Sequence, residues 1–450
     1  AKASRGICGA DAHAIAGRNY LRMVAAGTSA HSDHAREILH ILHGASADGN
    51  YHVRDEQKLI KLAAEWDVKT EGRDIYDIAH EVAEVGLQEF GKSFGTQKFI
   101  KRATEERQRV WKEQDIEPRA IDREIATSMH MTNMGNTADA EALIRQGLRT
   151  SLSNGWGGSM LGTEITDILF GTPTVWATEG NLGVLEKDMV NIVVHGHDPA
   201  FSEMVVTAAE VKELVDYAKS KGAKGINMVG LCCTANEVAM RHGVRMAGNF
   251  LQQENAILTG AVEMMCVDIQ CIFPALSTLA DCFHTKFVTS SPIARIPGST
   301  YIEFKRETAF EQAKDLVKMA IDNYQNRDQS KVYIPPTKQK AVVGYPCEQI
   351  IKHLDGVTNS HVDVLGTYRP VVDAIKSGVL RGAVAIVGCN NPRVRPDYSH
   401  FEIMKELLAN DILIVATGCA AQVATKAGLL TKEAKWQCGA GLRRVCDLVD

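Results

Sequence analysis

Residues 190–233 read VNIVVHGHDPAFSEMVVTAAEVKELVDYAKSKGAKGINMVGLCC. Two short runs rich in β-branched residues, VNIVVHG at 190–196 and INMVGL at 226–231, flank a stretch with helical apolar spacing. Unbroken apolar runs bounded by glycine predict strands buried on both faces, as in parallel sheets. The whole stretch therefore predicts a β-α-β unit. In open α/β sheets the ligand sits beyond the carboxyl ends of the strands. At those ends this unit carries His195 and His197 on one run and Cys232 and Cys233 on the other.

Three further runs end in the same way. MMCVDIQC stops at Cys271, VAIVGC at Cys389 and ILIVATGC at Cys419. Soft thiolates joined by an imidazole, delivered from distant stretches of chain, point to a buried iron–sulfur-type metal centre. A single cysteine is often only a small buried hydrophobe. The metal reading rests on the shared strand-end position of His197, Cys233, Cys271, Cys389 and Cys419. Cys266, Cys282, Cys347, Cys438 and Cys446 lack that position and are read as ordinary thiols. Consecutive side chains in a strand point to opposite faces, so only one of Cys232 and Cys233 is expected to face the site.

The rest of the chain bounds the alternatives. Among 450 residues, 45% are hydrophobic and 23% charged, ordinary values for a globular protein. The net charge of −5 gives no electrostatic footing for nucleic acid or an anionic membrane surface. No apolar stretch reaches the roughly 18 residues of a spanning helix. The opening AKASRGICGADAH has no apolar core of a signal peptide. The 11 cysteines are odd in number and include no CxxC, which argues against a disulfide framework, a zinc ribbon or a thioredoxin-type pair. A reducing cytoplasm fits this usage best.

Helical apolar spacing dominates residues 1–175, in stretches such as HAREILHILHG and DAEALIRQGLRTSL. Strand–helix alternation follows over 176–335. After the polar, proline-bearing stretch 322–340 it restarts with AVVGY and continues over 336–450. The predicted fold is α/β: an N-terminal helical domain, then two Rossmann-like, doubly wound parallel-sheet domains. Neither has a GxGxxG or Walker A sequence, so the strand ends serve something other than a nucleotide. The charge-rich residues 98–125 read as a solvated helix face, and GWGGSMLGTEITDILFGTP at 155–173 as a glycine-rich turn entering a helix. Two N-terminal features remain. His31, His34, His40 and His43 lie at helical spacing in AHSDHAREILHILHG; such a series either decorates a surface or passes protons. Cys8, between glycines in GICGA, is suited to backbone approach to a sulfur.

Together RGICGA (5–10), AAGTSAHSDHAREILH (25–40), GWGGSMLGTEITDILFGTP, VVHGHDP, GINMVGLCCTANE, DIQC, VGCNN and ATGCA strongly resemble, in order and over the whole length, the catalytic subunit of the nickel-dependent, anaerobic-type carbon monoxide dehydrogenase family. The resemblance implies a homodimer with a nickel–iron–sulfur active-site cluster of the [Ni–4Fe–4S] type and additional [4Fe–4S] clusters. It implies that His197 and Cys233 hold the iron outside the cubane, that Cys271 and Cys389 hold cubane irons, and that Cys419 holds iron or nickel. His31 resembles the active-site histidine, and His34 and His40 resemble members of a proton relay whose intervening step here is Glu37. Cys8 resembles the last ligand of an intermediate [4Fe–4S] cluster. The implied reaction is oxidation of CO with water to CO2, two protons and two electrons, with a ferredoxin-like carrier. A nickel-insertion factor or an acetyl-CoA synthase subunit are implied partners. Further cluster cysteines are expected before residue 1, and a last cluster cysteine and an active-site lysine after residue 450, so the chain is expected to be a fragment or trimmed core. Rival readings are a hybrid-cluster, hydroxylamine-reductase-like enzyme, a non-catalytic iron–sulfur scaffold or assembly subunit, and a small-molecule binder with buried thiols.

Overall fold

The structure, a computed structural model, describes residues 4–358 and 368–449. It divides into two compact units, Ala1–Gly171 and Thr172–Asp450.

The first unit is helical. Its longest helix, Ala12–His43, starts where the Asp11 carboxylate accepts a hydrogen bond from the Ala14 amide at 2.8 Å. Ala14, Gly17, Leu21, Ala25, Thr28, Ser32, Ala35, Leu39 and Leu42 recur at three- and four-residue steps and are buried. The helices Ile75–Gly91, Ile121–Met131, Ala140–Ser153 and Met160–Phe170 pack around that stripe. The glycine-rich GWGGS stretch is not a turn. It is a π-helical segment, Asn154–Ser159, continuing the helix before it into the helix after it. Its glycines permit close packing: a side chain at Gly158 would overlap Ser32, and one at Gly157 would overlap Gln97. Single π segments of this kind are frequent at functional sites.

The second unit is built on an eight-stranded sheet with strands β1 (Trp176–Gly180), β2 (Val190–Gly196), β3 (Ile226–Leu231), β4 (Arg245–Gly248), β5 (Val262–Val267), β6 (Lys286–Thr289), β7 (Thr300–Tyr301) and β8 (Gln339–Val343). Their order is β7-β6-β5-β2-β3-β4-β1-β8, and every pairing is parallel except β1 with β8. Every residue of β2 and β5 is buried, as central parallel strands require. The crossover between β2 and β3 is two helices, Pro199–Ala209 and Lys212–Ser220, not one, because the chain breaks at Glu210–Val211. The AVVGY stretch does not open a second sheet: β8 closes the edge of the first, antiparallel to β1. A smaller parallel pair follows, β9 (Gly382–Ile386) with β10 (Ile412–Ala416).

At the amino ends of β2 and β5 a buried ion pair fixes the sheet. The Glu263 carboxylate accepts from Arg327 Nε at 2.7 Å, Arg327 Nη2 at 2.6 Å and the Asn191 amide at 2.6 Å, and faces His284 Nε2 at 2.9 Å. Arg327 also donates to the carbonyls of Met189 and Ala261. Removing one partner of a buried, fully bonded pair leaves a charge without compensation. Arg327→Ala is therefore expected to destabilise the second unit by roughly 3–5 kcal/mol, read as a lower denaturant midpoint; an unchanged midpoint would show the pair to be dispensable.

Candidate metal centre

The carboxyl ends of β2, β3 and β5 lie side by side, with His195 in register with both Leu231 and Val267. Beyond these ends the chain presents His197, Cys232, Cys233 and Cys271. β9 and β10 are also in register, Ile386 with Ala416, and deliver Cys389 and Cys419. The donor atoms of His197, Cys232 and Cys271 all lie within 4.8 Å of one another. Cys232, Cys419 and Phe250 form a buried cluster against which Cys233, Cys271 and Phe273 pack. The Cys389 thiol engages those of Cys271 and Cys419 from the exposed rim.

Both members of the cysteine pair thus reach the centre. β3 ends at Leu231, and Cys232 turns to φ +63°, so the alternation that would send neighbouring side chains apart is already broken. Gln270 and Cys271 also adopt left-handed conformations, φ +63° and +61°. For non-glycine residues these cost on the order of 1 kcal/mol each and persist only where surroundings enforce them.

The enforcement is visible. Gln253 accepts from the Phe273 amide at 2.9 Å and donates to the carbonyls of Phe250 and Cys271 at 2.7 and 3.0 Å. Its Oε1 also faces His195 Nε2 at 3.0 Å. Burial, outweighing that hydrogen bond, pushes the His195 pKa down to about 4, so the imidazole is neutral and Nε2–H donates. Asp268 accepts from the His197 amide at 2.6 Å and from the Ile269 amide, and its other oxygen accepts from Thr234 Oγ1 at 3.4 Å. Burial first, and then Asp198, raise Asp268 to about 7. Gly196, at φ +137°, leaves room for this carboxylate, which a side chain there would overlap.

His197 is oriented from behind. Its Nδ1 lies 3.3 Å from the Ile269 carbonyl, so Nδ1–H donates there and Nε2 is left as the donor atom toward the sulfurs. Burial opposes its charged form, yet the facing sulfurs of Cys233 and Cys271 hold its pKa well above the ordinary value. The thiols divide into donors and acceptors. Hydrogen bonds to Cys233, Cys271 and Cys419 push Cys232 up, and hydrogen bonds to Cys271 and Cys419 push Cys389 up. A hydrogen bond from Cys232 brings Cys233 down to about 6, and those from Cys232 and Cys389 bring Cys419 down to about 3. Cys271 falls further still, through Cys232 and Cys389.

A second clamp ties the two sheets' strand ends together. Asp397, itself at φ +65°, accepts from Asn249 Nδ2 at 2.9 Å and Asn390 Nδ2 at 3.0 Å and pairs with Lys426 Nζ at 2.5 Å. Gln422 donates to the Cys232 carbonyl, and Asn236 to that of Gly418 at 3.1 Å.

A model of the Prismane/CO dehydrogenase family matches residues 1–448. The chain belongs to this family. It is 48% identical over 447 residues to carbon monoxide dehydrogenase 1 of Methanosarcina mazei, covering 99% of this chain and 70% of that protein. It is 42% identical to carbon monoxide dehydrogenase 1 of Carboxydothermus hydrogenoformans, covering 96% and 67%. The Ni-free structure of carbon monoxide dehydrogenase from Thermococcus sp. AM4, produced without the CooC maturase, superposes with a TM-score of 0.95 at 45% identity, over all of this chain and 70% of that one. These relatives are oxidoreductases, and their α/β fold with a helical N-terminal region is the fold described above.

The remaining residues singled out by sequence lie in the first unit. His31, His34, Glu37 and His40 occupy one outward face of Ala12–His43; His34 is half-buried and the others are exposed. Cys8 is exposed in the loop closed by the Gly6 amide on the Ala10 carbonyl at 2.8 Å. The Ala10 backbone and then Arg18 lower its pKa, favouring thiolate. Sequence reasoning missed Gln253, Asp268 and Asp397. The Asp in DIQC adjoined a predicted ligand, but nothing local marked Gln253 or Asp397.

Cys266 stands apart from the centre. It is fully buried in β5, and burial raises its pKa to about 12. Alkylation needs thiolate, so in the native protein at mildly alkaline pH iodoacetamide is expected to label exposed Cys282 and Cys347 and to spare Cys266. Mass spectrometry of the digest checks this; Cys266 labelled as fast as Cys282 would contradict its placement in the core.

Proposed function

We propose that this chain catalyses the reversible oxidation of CO with water to CO2, two protons and two electrons. The observation that carries the reading is the convergence of five sulfurs and one imidazole at the strand ends. The donor set fits an iron–sulfur-type group. It is soft, it contains no carboxylate donor, and the Ile269 carbonyl behind His197 Nδ1 turns Nε2 toward the sulfurs. His197, Cys233, Cys271, Cys389 and Cys419 would hold a [Ni–4Fe–4S] cluster, with Cys232 beside them. When bound, that cluster supplies a soft metal for CO, a Lewis acid that makes water nucleophilic, and a sink for two electrons.

The chain's own residues then have separable tasks. His197, with Nδ1–H committed to the Ile269 carbonyl, would offer Nε2 in one orientation to a metal that displaces the Nε2 proton. Gln253 and Asp268 hold the Cys271 loop against its backbone strain, so that the sulfur is placed before any ligand binds. Phe250 and Phe273 pack against the sulfurs and exclude water on that side. His31 would accept the proton released from water, and His34, Glu37 and His40 would pass it along the outward face of their helix. Cys8, biased toward thiolate, would complete a [4Fe–4S] cluster through which electrons leave for a ferredoxin-like carrier.

The reading carries partners with it. A homodimer, a nickel-insertion factor and an acetyl-CoA synthase subunit are the implied associations. The Moorella thermoacetica relative, 40% identical, is itself named a carbon monoxide dehydrogenase/acetyl-CoA synthase subunit. A cytoplasmic setting suits eleven cysteines of which none lies in a disulfide among the described residues; no helix of the described residues is long and apolar enough to cross a membrane.

His197→Ala and Cys271→Ala are each expected to abolish CO-dependent reduction of a viologen dye and to lower bound iron. Full activity in either variant would refute the ligand assignment. Metal analysis of the active protein separates the nearest rival: about one nickel per subunit supports a carbon monoxide dehydrogenase, and iron without nickel supports a hybrid-cluster enzyme.

A further inference from the structure

We propose that His43, His80 and Glu84 form a second metal site, in the first unit, for a divalent transition ion of borderline softness such as Zn2+ or Ni2+. The donor atoms of these three side chains all lie within 4.8 Å of one another. The two imidazole rings lie 3.8 Å apart, centre to centre, tilted by 37°, and His43 Nε2 lies 3.9 Å from Glu84 Oε1. Two imidazoles and one carboxylate are a known three-ligand set for such an ion, with water completing the coordination.

The backbone is prepared for this. His80 and Glu84 are four residues apart on Ile75–Gly91, and therefore on one face of the helix. His43 is the last residue of Ala12–His43, where Gly44 caps the helix. The two helices are locked by buried contacts just inside the site: Leu39 seats against Gly86, and Ala79, Val82 and Ala83 are fully buried. The donors therefore sit on rigid elements, and closing them onto an ion needs only rotation of exposed side chains. Among the described residues no lysine or arginine pairs with Glu84, so its charge is open to a cation. No thiol belongs to the set, which separates its chemistry from that of the strand-end centre.

The test uses the full chain, reduced and anaerobic, with Zn2+ as the probe in equilibrium dialysis. The wild type is expected to bind one more ion than His80→Ala, and Glu84→Gln to weaken that ion by at least about tenfold. Gln88→Ala, one turn further along the helix, is the control and should match the wild type. X-ray absorption at the zinc edge, taken as the difference between wild type and His80→Ala, should show nitrogen and oxygen neighbours only. Equal stoichiometry and affinity in wild type and His80→Ala would overturn the proposal, and so would sulfur around the additional ion.

Discussion

The constraint on which the second unit depends is the electrostatics of gathered sulfur. Cys232, Cys233, Cys271, Cys389 and Cys419 share one small volume with a single imidazole. Thiolates placed together in a poorly solvated space repel, and each alone would be driven to its neutral form. Protons alone permit only a compromise: Cys232 and Cys389 are pushed up as donors, Cys233, Cys271 and Cys419 are pulled toward thiolate, and His197 is pushed toward its protonated form. A cationic metal core satisfies every sulfur at once, whereas protons satisfy some of them at the expense of others. The same argument explains the composition of the shell. Carboxylates are kept out of the donor set, and Asp268 beside it is turned to backbone amides and raised toward neutrality.

Such a centre cannot be assembled by local sequence, because its sulfurs and imidazole come from five strand ends. Parallel pairing solves this twice, aligning the carboxyl ends of β2, β3 and β5 in one sheet and of β9 and β10 in the other. It also leaves the final turn of each loop to be set individually. At Cys232, Gln270 and Cys271 the chain accepts left-handed geometry that a free peptide would avoid. Gln253 and Asp268, each bonded to more than one backbone group, hold that geometry. The arrangement separates two tasks on the same strands. At the amino ends Glu263 and Arg327 supply stability through a closed network, and at the carboxyl ends strain is tolerated so that sulfur can be aimed.

How much of this could be read in advance follows from the range of each interaction. β2 and β3 were legible because burial on both faces writes an unbroken apolar run. Their helical crossover was legible in kind but not in its break at Val211, which no proline or glycine announces. β8 misled for a different reason. AVVGY has strand propensity, but its partner is β1, more than 150 residues earlier, and propensity carries no information about which sheet a strand joins. That His197, Cys271, Cys389 and Cys419 would converge was legible because residue type and strand-end position coincide. Cys232 was not, because strand alternation was applied one residue beyond the strand. Gln253 and Asp397 were invisible because their partners are fixed only by tertiary structure.

The π segment at Asn154–Ser159 shows the same limit from the other side. Its glycines have the composition of a loop, and the usual mechanism for glycine in turns, access to positive φ, predicts one. Here glycine serves a different end: Gly157 and Gly158 face Gln97 and Ser32 so closely that no side chain fits. Composition identifies that a residue is small; only packing says whether smallness is spent on a turn or on proximity. Ser32 lies between His31 and Asp33 on the long helix, so the tight contact at Gly158 fixes the rotation of that helix about its axis. It thereby fixes the direction of the face that carries His31, His34 and His40. A relay along that face needs such a fixed rotation, because proton transfer tolerates little error in the distance between successive groups.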